Sequence, residues 1–191
     1  MNETTVRILG IPGSLRSGSF NRALIEAARE LAPEGVEVEL YALHDIPLYN
    51  ADVEAQGDPE AVQRFKQAIA NADGLLFATP QYNRSVSGVL KNAIDWASRP
   101  PSSSVLAGKP AAIMGASSGR SATAVAQEDL RKILDVCKCR VMDGPRLGVS
   151  LANDHIDEER GVHHPETREA IAAIVAELAV FARSYELAEA D

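Results

Sequence analysis

Residues 10–24 of the chain read GIPGSLRSGSFNRAL, a polar and glycine-rich segment between two apolar patterns. An apolar run typical of a buried strand comes before it: Val6, Ile8, Leu9 and Ile11. Apolar residues at helical spacing come after it: Leu24, Ile25, Ala28 and Leu31. The order strand, loop, helix exposes backbone N–H groups at a helix N-terminus. Free donors and the helix dipole favour an anion there.

The side chains of this loop suit a phosphate group. Short hydrogen-bonding groups come from Ser14, Ser17, Ser19 and Asn21. Arg16 adds a planar cationic fork. The alternative interpretation is that Ser19 only caps the helix and that the other serines only form a solvated turn.

The spacing of the loop residues indicates which class of phosphate-containing ligand the loop can bind. A Walker loop ends in Gly-Lys-Ser/Thr, and no lysine lies in residues 10–24. A dinucleotide fingerprint needs G-x-G-x-x-G, whereas the glycines here are Gly10, Gly13 and Gly18. A hydroxyl-rich loop with one arginine better matches a single terminal phosphate, as in flavin mononucleotide (FMN).

Length and composition indicate one globular domain, residues 1–191. The net charge of -8 argues against a nucleic-acid or anionic-membrane partner, because both need a basic surface. No apolar run of about 18 residues is present, so we expect no membrane span. The first residues, MNETTVRILG, lack the pattern of a signal peptide, which favours the cytoplasm. Two cysteines, Cys137 and Cys139, are too few for a disulfide framework and are expected to be buried thiols.

The rest of the chain alternates strands with helices. Further strands are predicted at residues 36–43, 74–79, 110–116 and 141–149, the last interrupted near Gly144 and Pro145. Helices are predicted after the first loop, from Pro59, from Val89, after Ser121 and from about Pro165. This alternation predicts a flavodoxin-like three-layer α/β sandwich, with a five-stranded parallel sheet of order 2-1-3-4-5 and helices on both faces. The alternating second strand, VEVELYAL, fits the sheet edge.

Three polar loops leave the carboxyl ends of the strands, where such sheets bind ligands: residues 13–21, 80–88 and 117–121. In the second, Pro80 stiffens the exit from the strand and Tyr82 offers an aromatic plane. Gln81, Asn83 and Ser85 supply donors and acceptors for the polar edge of a ring. The alternative is an ordinary helix entry with Tyr82 packed on the surface.

Three segments together carry a family resemblance: GSLRSGSFNRAL, PQYNRSVSGVLKNAIDWASRP and GASSGRSATAVAQEDLR. They resemble the NADPH-dependent FMN reductases, a family that includes quinone, chromate and azo-dye reductases. The resemblance implies a flavodoxin-like fold, non-covalent FMN, NADPH (or NADH) as electron donor, and a homodimer or homotetramer.

The resemblance also implies which residues bind FMN. The phosphate would be held by Ser14, Arg16, Ser17, Ser19 and Asn21. The isoalloxazine and ribityl region would contact Pro80, Gln81, Tyr82, Asn83 and Arg84, with Ser117 and Gly119 on the far side of the ring. The chain departs from the family's usual residues at Gln81 (usually Glu), Arg84 (an aromatic), Ser87 (often Pro) and around Ala122, Thr123 and Val125.

We therefore expect an oxidoreductase that passes hydride from NAD(P)H through FMN to a small acceptor such as a quinone, an azo compound, chromate or free flavin. The flavin performs the chemistry, so no catalytic acid, base or nucleophile is expected. No metal is expected either, and polar groups such as Asp154, His155, Asp157 and Glu158 are interpreted as part of a surface loop. The alternative functions are a flavodoxin-like electron carrier and an FMN-binding regulatory module without NADPH turnover.

Arg84 supports a narrower hypothesis. An exposed arginine beside the flavin of an acidic protein can attract the 2′-phosphate of NADPH and favour it over NADH. The alternative is that Arg84 forms an ordinary surface ion pair.

Overall fold

The computed structural model describes residues 5–189, with side chains described through Ser184. The predicted domain limits at residues 1 and 191 lie outside the described residues. The strands are β1 (Val6–Pro12), β2 (Val36–Leu40), β3 (Gly74–Ala78), β4 (Pro110–Ala116), β5 (Arg140–Val141), β6 (Leu147–Val149), β7 (Ile156–Asp157) and β8 (Gly161–Val162). The helices are α1 (Phe20–Glu30), α2 (Ala51–Glu54), α3 (Glu60–Asn71), α4 (Gly88–Ala97), α5 (Ala124–Val136) and α6 (Pro165–Glu189).

The main sheet is parallel and has the order β2-β1-β3-β4-β5, with β6 also paired to β4. The predicted order 2-1-3-4-5 is confirmed. Strand β2 lies at the edge, and only Val38 of its five residues is buried. Every residue of β3 and β4 is buried, because helices cover both faces of the sheet centre.

Alternate residues of the strands face two helical layers. Ile8 in β1 packs in a core cluster with side chains of α1 and α6. Its neighbour Leu9 and then Ile11 pack in the opposite cluster, with side chains of α3, α4 and α5. This period of two along β1 produces the three-layer sandwich that the sequence predicts.

Gly10 sets the distance between β1 and α1. A Cβ on Gly10 would lie 2.4 Å from Cγ2 of Ile25, which is fully buried in α1. Helix α1 therefore packs closer to the sheet than any side chain at position 10 would permit, and this approach fixes where the loop between them ends.

The structure differs from the prediction in two places. Strand β2 ends at Leu40 rather than residue 43, although Tyr41 still donates its N–H to Gly10 O. The predicted interruption of the fifth strand near Gly144 and Pro145 is confirmed, because residues 142–146 leave the ladder between β5 and β6. The four-residue helix α2 and the hairpin β7–β8 are too short to have a detectable periodicity.

The structure shows how far Trp96 and the two cysteines are buried. Trp96 is fully buried and donates its indole N–H to Pro47 O at 2.9 Å, so it belongs to the core. Of the two cysteines predicted to be buried thiols, Cys139 is buried as expected, Cys137 is only partly buried, and both are free thiols. Across the described part of the chain, no helix combines the length and apolarity needed to cross a membrane.

Candidate functional site

The three predicted loops meet at the carboxyl ends of β1, β3 and β4. They line one cavity of about 120 Å³ that opens to solvent. Eleven residues form its wall: Ser14, Arg16, Ser19, Phe20, Asn21, Pro80, Gln81, Tyr82, Ala116, Ser117 and Ser118. Two larger hollows, of about 540 and 670 Å³, lie on either side of the edge strand β2 and contain none of these loops. We place the functional site at the smaller cavity because only there do polar loops from three strands converge.

The first loop presents free backbone donors. Ser19 caps α1, and its Oγ accepts the N–H of Arg22 at 3.3 Å. Within the described residues, the N–H groups of Ser17, Gly18 and Ser19 have no protein acceptor. Such a row of donors at a helix N-terminus, in a cradle without lysine, fits the phosphate of a mononucleotide.

Arg16 and Ser14 border these donors. The Arg16 guanidinium donates to Gly18 O at 3.2 Å and lies 5.9 Å from the centre of the Phe20 ring. Ser14 Oγ accepts the N–H of Arg16 at 3.4 Å and retains its own proton as a donor. The cation therefore lies over its own loop, next to the free N–H groups, and has no carboxylate partner among the side chains of residues 5–184.

A buried hydroxyl joins the first loop to the second. Ser87 Oγ donates to Gly13 O at 2.6 Å and accepts the N–H of Leu90 at 3.2 Å, so it also caps α4. The backbone at Gly13 runs close to its neighbours: a Cβ there would lie 3.1 Å from Leu90 and from Pro80. Gly13 and Ser87 together hold the phosphate loop against the start of α4.

Gln81 joins the second loop to the third. Its Nε2 donates to Ser121 Oγ at 3.1 Å, and its Oε1 accepts the N–H of Ala126 at 3.2 Å. Helix α5 has no cap from its own Thr123, which has a positive φ of 61°. Gln81 therefore supplies the missing N-terminal cap of α5 from another loop.

The residues after Gln81 form a two-residue β-hairpin. Tyr82 and Ser85 exchange backbone hydrogen bonds of 3.1 and 3.0 Å. Asn83 (φ 49°) and Arg84 (φ 62°) occupy the two central positions, both left-handed, as a type I′ turn requires. The hairpin places Tyr82 against the cavity with 52% of its surface exposed, and Arg84 at its tip.

Asn21 has a structural contact that the sequence does not indicate. Its side chain is buried, donates to Ala116 O at 3.0 Å and accepts the N–H of Ala116 at 2.9 Å. It thereby holds the end of β4, from which the third loop departs. In that loop Ser117 Oγ accepts the N–H of Gly119 at 3.1 Å.

Eight of the twelve predicted site residues line the cavity: Ser14, Arg16, Ser19, Asn21, Pro80, Gln81, Tyr82 and Ser117. Ser17 lines a neighbouring hollow beside Leu15 and His44. Asn83, Arg84 and Gly119 lie outside the wall, on the hairpin tip and further along the third loop. Sequence reasoning missed Phe20, Ala116 and Ser118, although each directly adjoins a residue that it chose.

The acidic segment before α6 forms the turn of the β7–β8 hairpin. Asp157 accepts the N–H groups of Glu159 and Arg160 and pairs with the Arg160 side chain. These contacts, the backbone N–H of Arg160 first, hold the pKa of Asp157 below its usual range. Glu158 Oε1 is 3.0 Å from where a Cβ on Gly18 would lie, so the turn reaches the phosphate loop. No metal-binding group of three or more His, Cys, Asp or Glu occurs within the described residues.

The fold and the site define a flavodoxin-like mononucleotide-binding protein. Comparisons with known proteins identify it further. Residues 6–154 match the model of the NADPH-dependent FMN reductase family. A Pseudomonas aeruginosa NAD(P)H-dependent FMN reductase is 50% identical over 166 residues, 87% of this chain and 89% of the relative. A 2-hydroxy-1,4-benzoquinone reductase of a Burkholderia species is 40% identical over 178 residues, 93% and 97% of the two chains.

A solved structure agrees with these sequence relatives. A flavoenzyme NAD(P)H:(acceptor) oxidoreductase of Paracoccus denitrificans superposes with a TM-score of 0.85 at 33% identity, covering 94% of this chain and 98% of the other. The chain belongs to the NADPH-dependent FMN reductase family. It is an FMN-dependent oxidoreductase that takes electrons from NAD(P)H.

Proposed function

We propose that this oxidoreductase reduces a quinone. The observation that carries the proposal is the open cavity: free backbone donors lie at its phosphate end, and the half-exposed Tyr82 lies at the hairpin. Because the cavity opens to solvent, a flavin held there would leave NAD(P)H, and then a planar acceptor, a way to reach it. The names of several relatives point to the same class, among them the quinone reductases of Pseudomonas putida and Escherichia coli, 39% and 40% identical to this chain.

The proposed FMN site divides among the three loops. The phosphate accepts from the free N–H groups of residues 17–19, with the Ser14, Ser17 and Ser19 hydroxyls and the Arg16 guanidinium around it. Hydrogen bonds to such an anion are worth about 1.5–3 kcal/mol each, so a few of them make tight non-covalent binding feasible. Asn21 contributes its backbone N–H, since its side-chain oxygen is occupied by Ala116.

We assign the ring region of FMN to the second and third loops. Pro80, Gln81 and Tyr82 border one side, and Ser117 lies on the other, with Asn83, Arg84 and Gly119 farther out. The redox chemistry would come from FMN when bound, which accepts hydride from NAD(P)H and passes it to the quinone. Gln81 keeps the second and third loops at a fixed separation through Ser121 and Ala126. No side chain is needed as an acid, base or nucleophile, and the protein binds and orients both substrates.

We further propose that residues 1–191 form one FMN-binding unit and that two or four copies associate. Seven large apolar side chains are exposed in the described residues. Four of them lie in loops after the carboxyl ends of strands, Leu15, Leu48, Tyr82 and Leu151, and Val53 lies in the short helix α2 between β2 and α3. Exposed apolar side chains gathered at one edge favour contact with a second copy. Light scattering after size exclusion tests this, and Leu48→Asp, at an 85% exposed position, should shift the mass towards the monomer.

The decisive experiment is spectroscopic. The purified protein is saturated with FMN, freed of excess, and mixed with NADPH without oxygen, and then a quinone is added. Bleaching of the flavin absorbance followed by its recovery supports quinone reduction. Bleaching with recovery on azo or chromate acceptors but not on quinones overturns the quinone proposal. A retained flavin that stays oxidised favours the carrier or regulatory alternative. Cell fractionation tests the cytoplasmic location, which stays a prediction.

A further inference from the structure

Arg84 occupies a backbone conformation that favours other residues. Its φ of 62° lies in the left-handed region, and the second central position of a type I′ turn is one where glycine is preferred. An arginine in such a place carries a conformational cost, and backbone strain of this kind concentrates at functional sites. The residue is exposed at the hairpin tip, just outside the cavity wall.

A second exposed arginine lies on the neighbouring loop. Arg120 precedes Ser121, whose hydroxyl accepts the hydrogen bond from Gln81 that joins the two loops. Neither Arg84 nor Arg120 has an ion pair or a side-chain hydrogen bond with any described residue. The acid beside the hairpin, Asp129, is engaged by Ser85 Oγ at 3.0 Å and by Lys132 at 3.6 Å.

Among the other arginines of the described residues, some pair with a carboxylate and others do not. Arg22, Arg64 and Arg160 each contact a carboxylate three or four residues away. The exposed Arg7 and Arg146 have no such contact within the described residues. Arg84 and Arg120, which also lack a carboxylate partner among the described side chains, are distinguished by their position at the cavity rim: they lie on the two cavity-bordering loops that Gln81 joins. Guanidinium groups without a partner suit a bidentate contact with a phosphate oxygen pair.

We propose that Arg84 and Arg120 form a second anion site that recognises the 2′-phosphate of NADPH and so sets the preference for NADPH over NADH. The assignment rests on the proposed function, in which the first loop holds the FMN phosphate. That loop has its own cation, Arg16, which is bonded to Gly18 O. The rim arginines are therefore available to the second nucleotide, whose nicotinamide must reach the ring while its adenosine end extends outwards.

The test compares variants that separate charge from backbone conformation. Arg84→Asn removes the charge and retains a residue that tolerates the left-handed region. Arg84→Lys retains the charge without the planar fork, and Arg120→Gln removes the second cation. Arg64→Gln, on the outside of α3, is the matched control.

We expect the ratio of kcat/KM for NADPH to that for NADH to fall at least about tenfold in Arg84→Asn, the usual effect of losing a charge-assisted hydrogen bond. Arg84→Lys should lose less, the double variant Arg84→Asn with Arg120→Gln more, and Arg64→Gln should keep the wild-type ratio. An unchanged ratio in the double variant overturns the assignment.

A binding measurement makes the result independent of turnover. Calorimetry on the FMN-loaded protein compares 2′,5′-ADP with 5′-AMP, which lacks the 2′-phosphate. Tighter binding of 2′,5′-ADP that disappears in the double variant supports the anion site, even if the wild type reduces no quinone and the proposed function fails. Equal binding of both nucleotides overturns the anion site while leaving quinone reduction intact. Variants that slow an anionic hydroxyquinone but keep the nucleotide ratio assign the arginines to the acceptor and also overturn it.

Discussion

Replacing Ser87 with alanine should lower both stability and FMN affinity, because its hydroxyl makes two buried contacts. Ser87 is 3% exposed, and its Oγ joins Gly13 O and the N–H of Leu90. Losing the N-cap of α4 costs about 1 kcal/mol. Leaving the buried Gly13 carbonyl without a partner costs about 1–3 kcal/mol more. We therefore expect a loss of about 2–4 kcal/mol in the free energy of unfolding.

Urea unfolding of the apoprotein measures this loss directly. The midpoint should fall while the dependence on urea stays the same, since the surface exposed on unfolding does not change. A thermal midpoint lower by roughly 4 °C or more is expected for a chain of this size. Ser98→Ala is the control, because Ser98 Oγ donates to Asp95 O at the other end of α4, far from the phosphate loop. The FMN-loaded variant should lose more stability than the apoprotein, since the carbonyl of Gly13 orients the phosphate loop.

Two results would refute the reasoning at different steps. A loss below about 0.5 kcal/mol, equal to that of an ordinary surface substitution, would mean that the hydrogen bond to Gly13 contributes nothing net. If the variant lost the whole expected amount of unfolding free energy but kept its FMN dissociation constant, loss of the N-cap of α4 would still explain the lower stability. That result would, however, remove the role of Ser87 in positioning the phosphate loop.

Two further predictions follow from Gln81 and Cys139. Gln81→Ala should lower the free energy of unfolding by about 1–2 kcal/mol, because it removes the N-terminal cap of α5. Gln81→Glu should lower it less, because a carboxylate still accepts the N–H of Ala126 and is favoured at a helix N-terminus. Equal losses for the two variants in denaturant unfolding would count against the cap. Burial raises the pKa of Cys139 from its ordinary 9.0 to about 12. The protonated thiol therefore stabilises the fold fully below pH 9, and that contribution is lost as the pH rises towards 12. Cys139→Ala should flatten the fall in stability over that range, and parallel curves would contradict the assignment.

Most of the fold could be predicted because its signals are local and repeated. The buried run of β3 and the helical stripe of α6 each extend over enough residues to fix an element, and alternation of such elements fixes the sheet. The break in the fifth strand could also be predicted, from Gly144 and Pro145, whereas the hairpin β7–β8 depends on only two residue pairs. A pairing of so few residues is too short to produce a periodic pattern in the sequence.

The site was predictable only as far as loop composition allows. The loops themselves follow from strand order, so most of the cavity wall could be named in advance. The hydrogen bonds of the Asn21 side chain could not be predicted, because its partner Ala116 is 95 residues away in the sequence. The same holds for Gln81, whose partner Ala126 is 45 residues away. Residue type indicates that a side chain can hydrogen-bond, and only the tertiary structure determines with which group.

These long-range contacts imply that certain polar side chains position the loops, whereas backbone N–H groups bind the ligand, and the two roles can be measured separately. Asn21, Gln81 and Ser87 direct their polar atoms at protein backbone or at another loop, so the donors left for a ligand are mainly N–H groups of the loops. Alanine at any of the three should therefore raise the FMN dissociation constant by a larger factor than it lowers the rate of flavin reduction in the fully loaded protein. Anaerobic stopped-flow mixing with NADPH, beside fluorescence titration of FMN, gives both factors. The opposite ranking would mean that these side chains act on hydride transfer itself, and the view that they only position the loops would have to be abandoned.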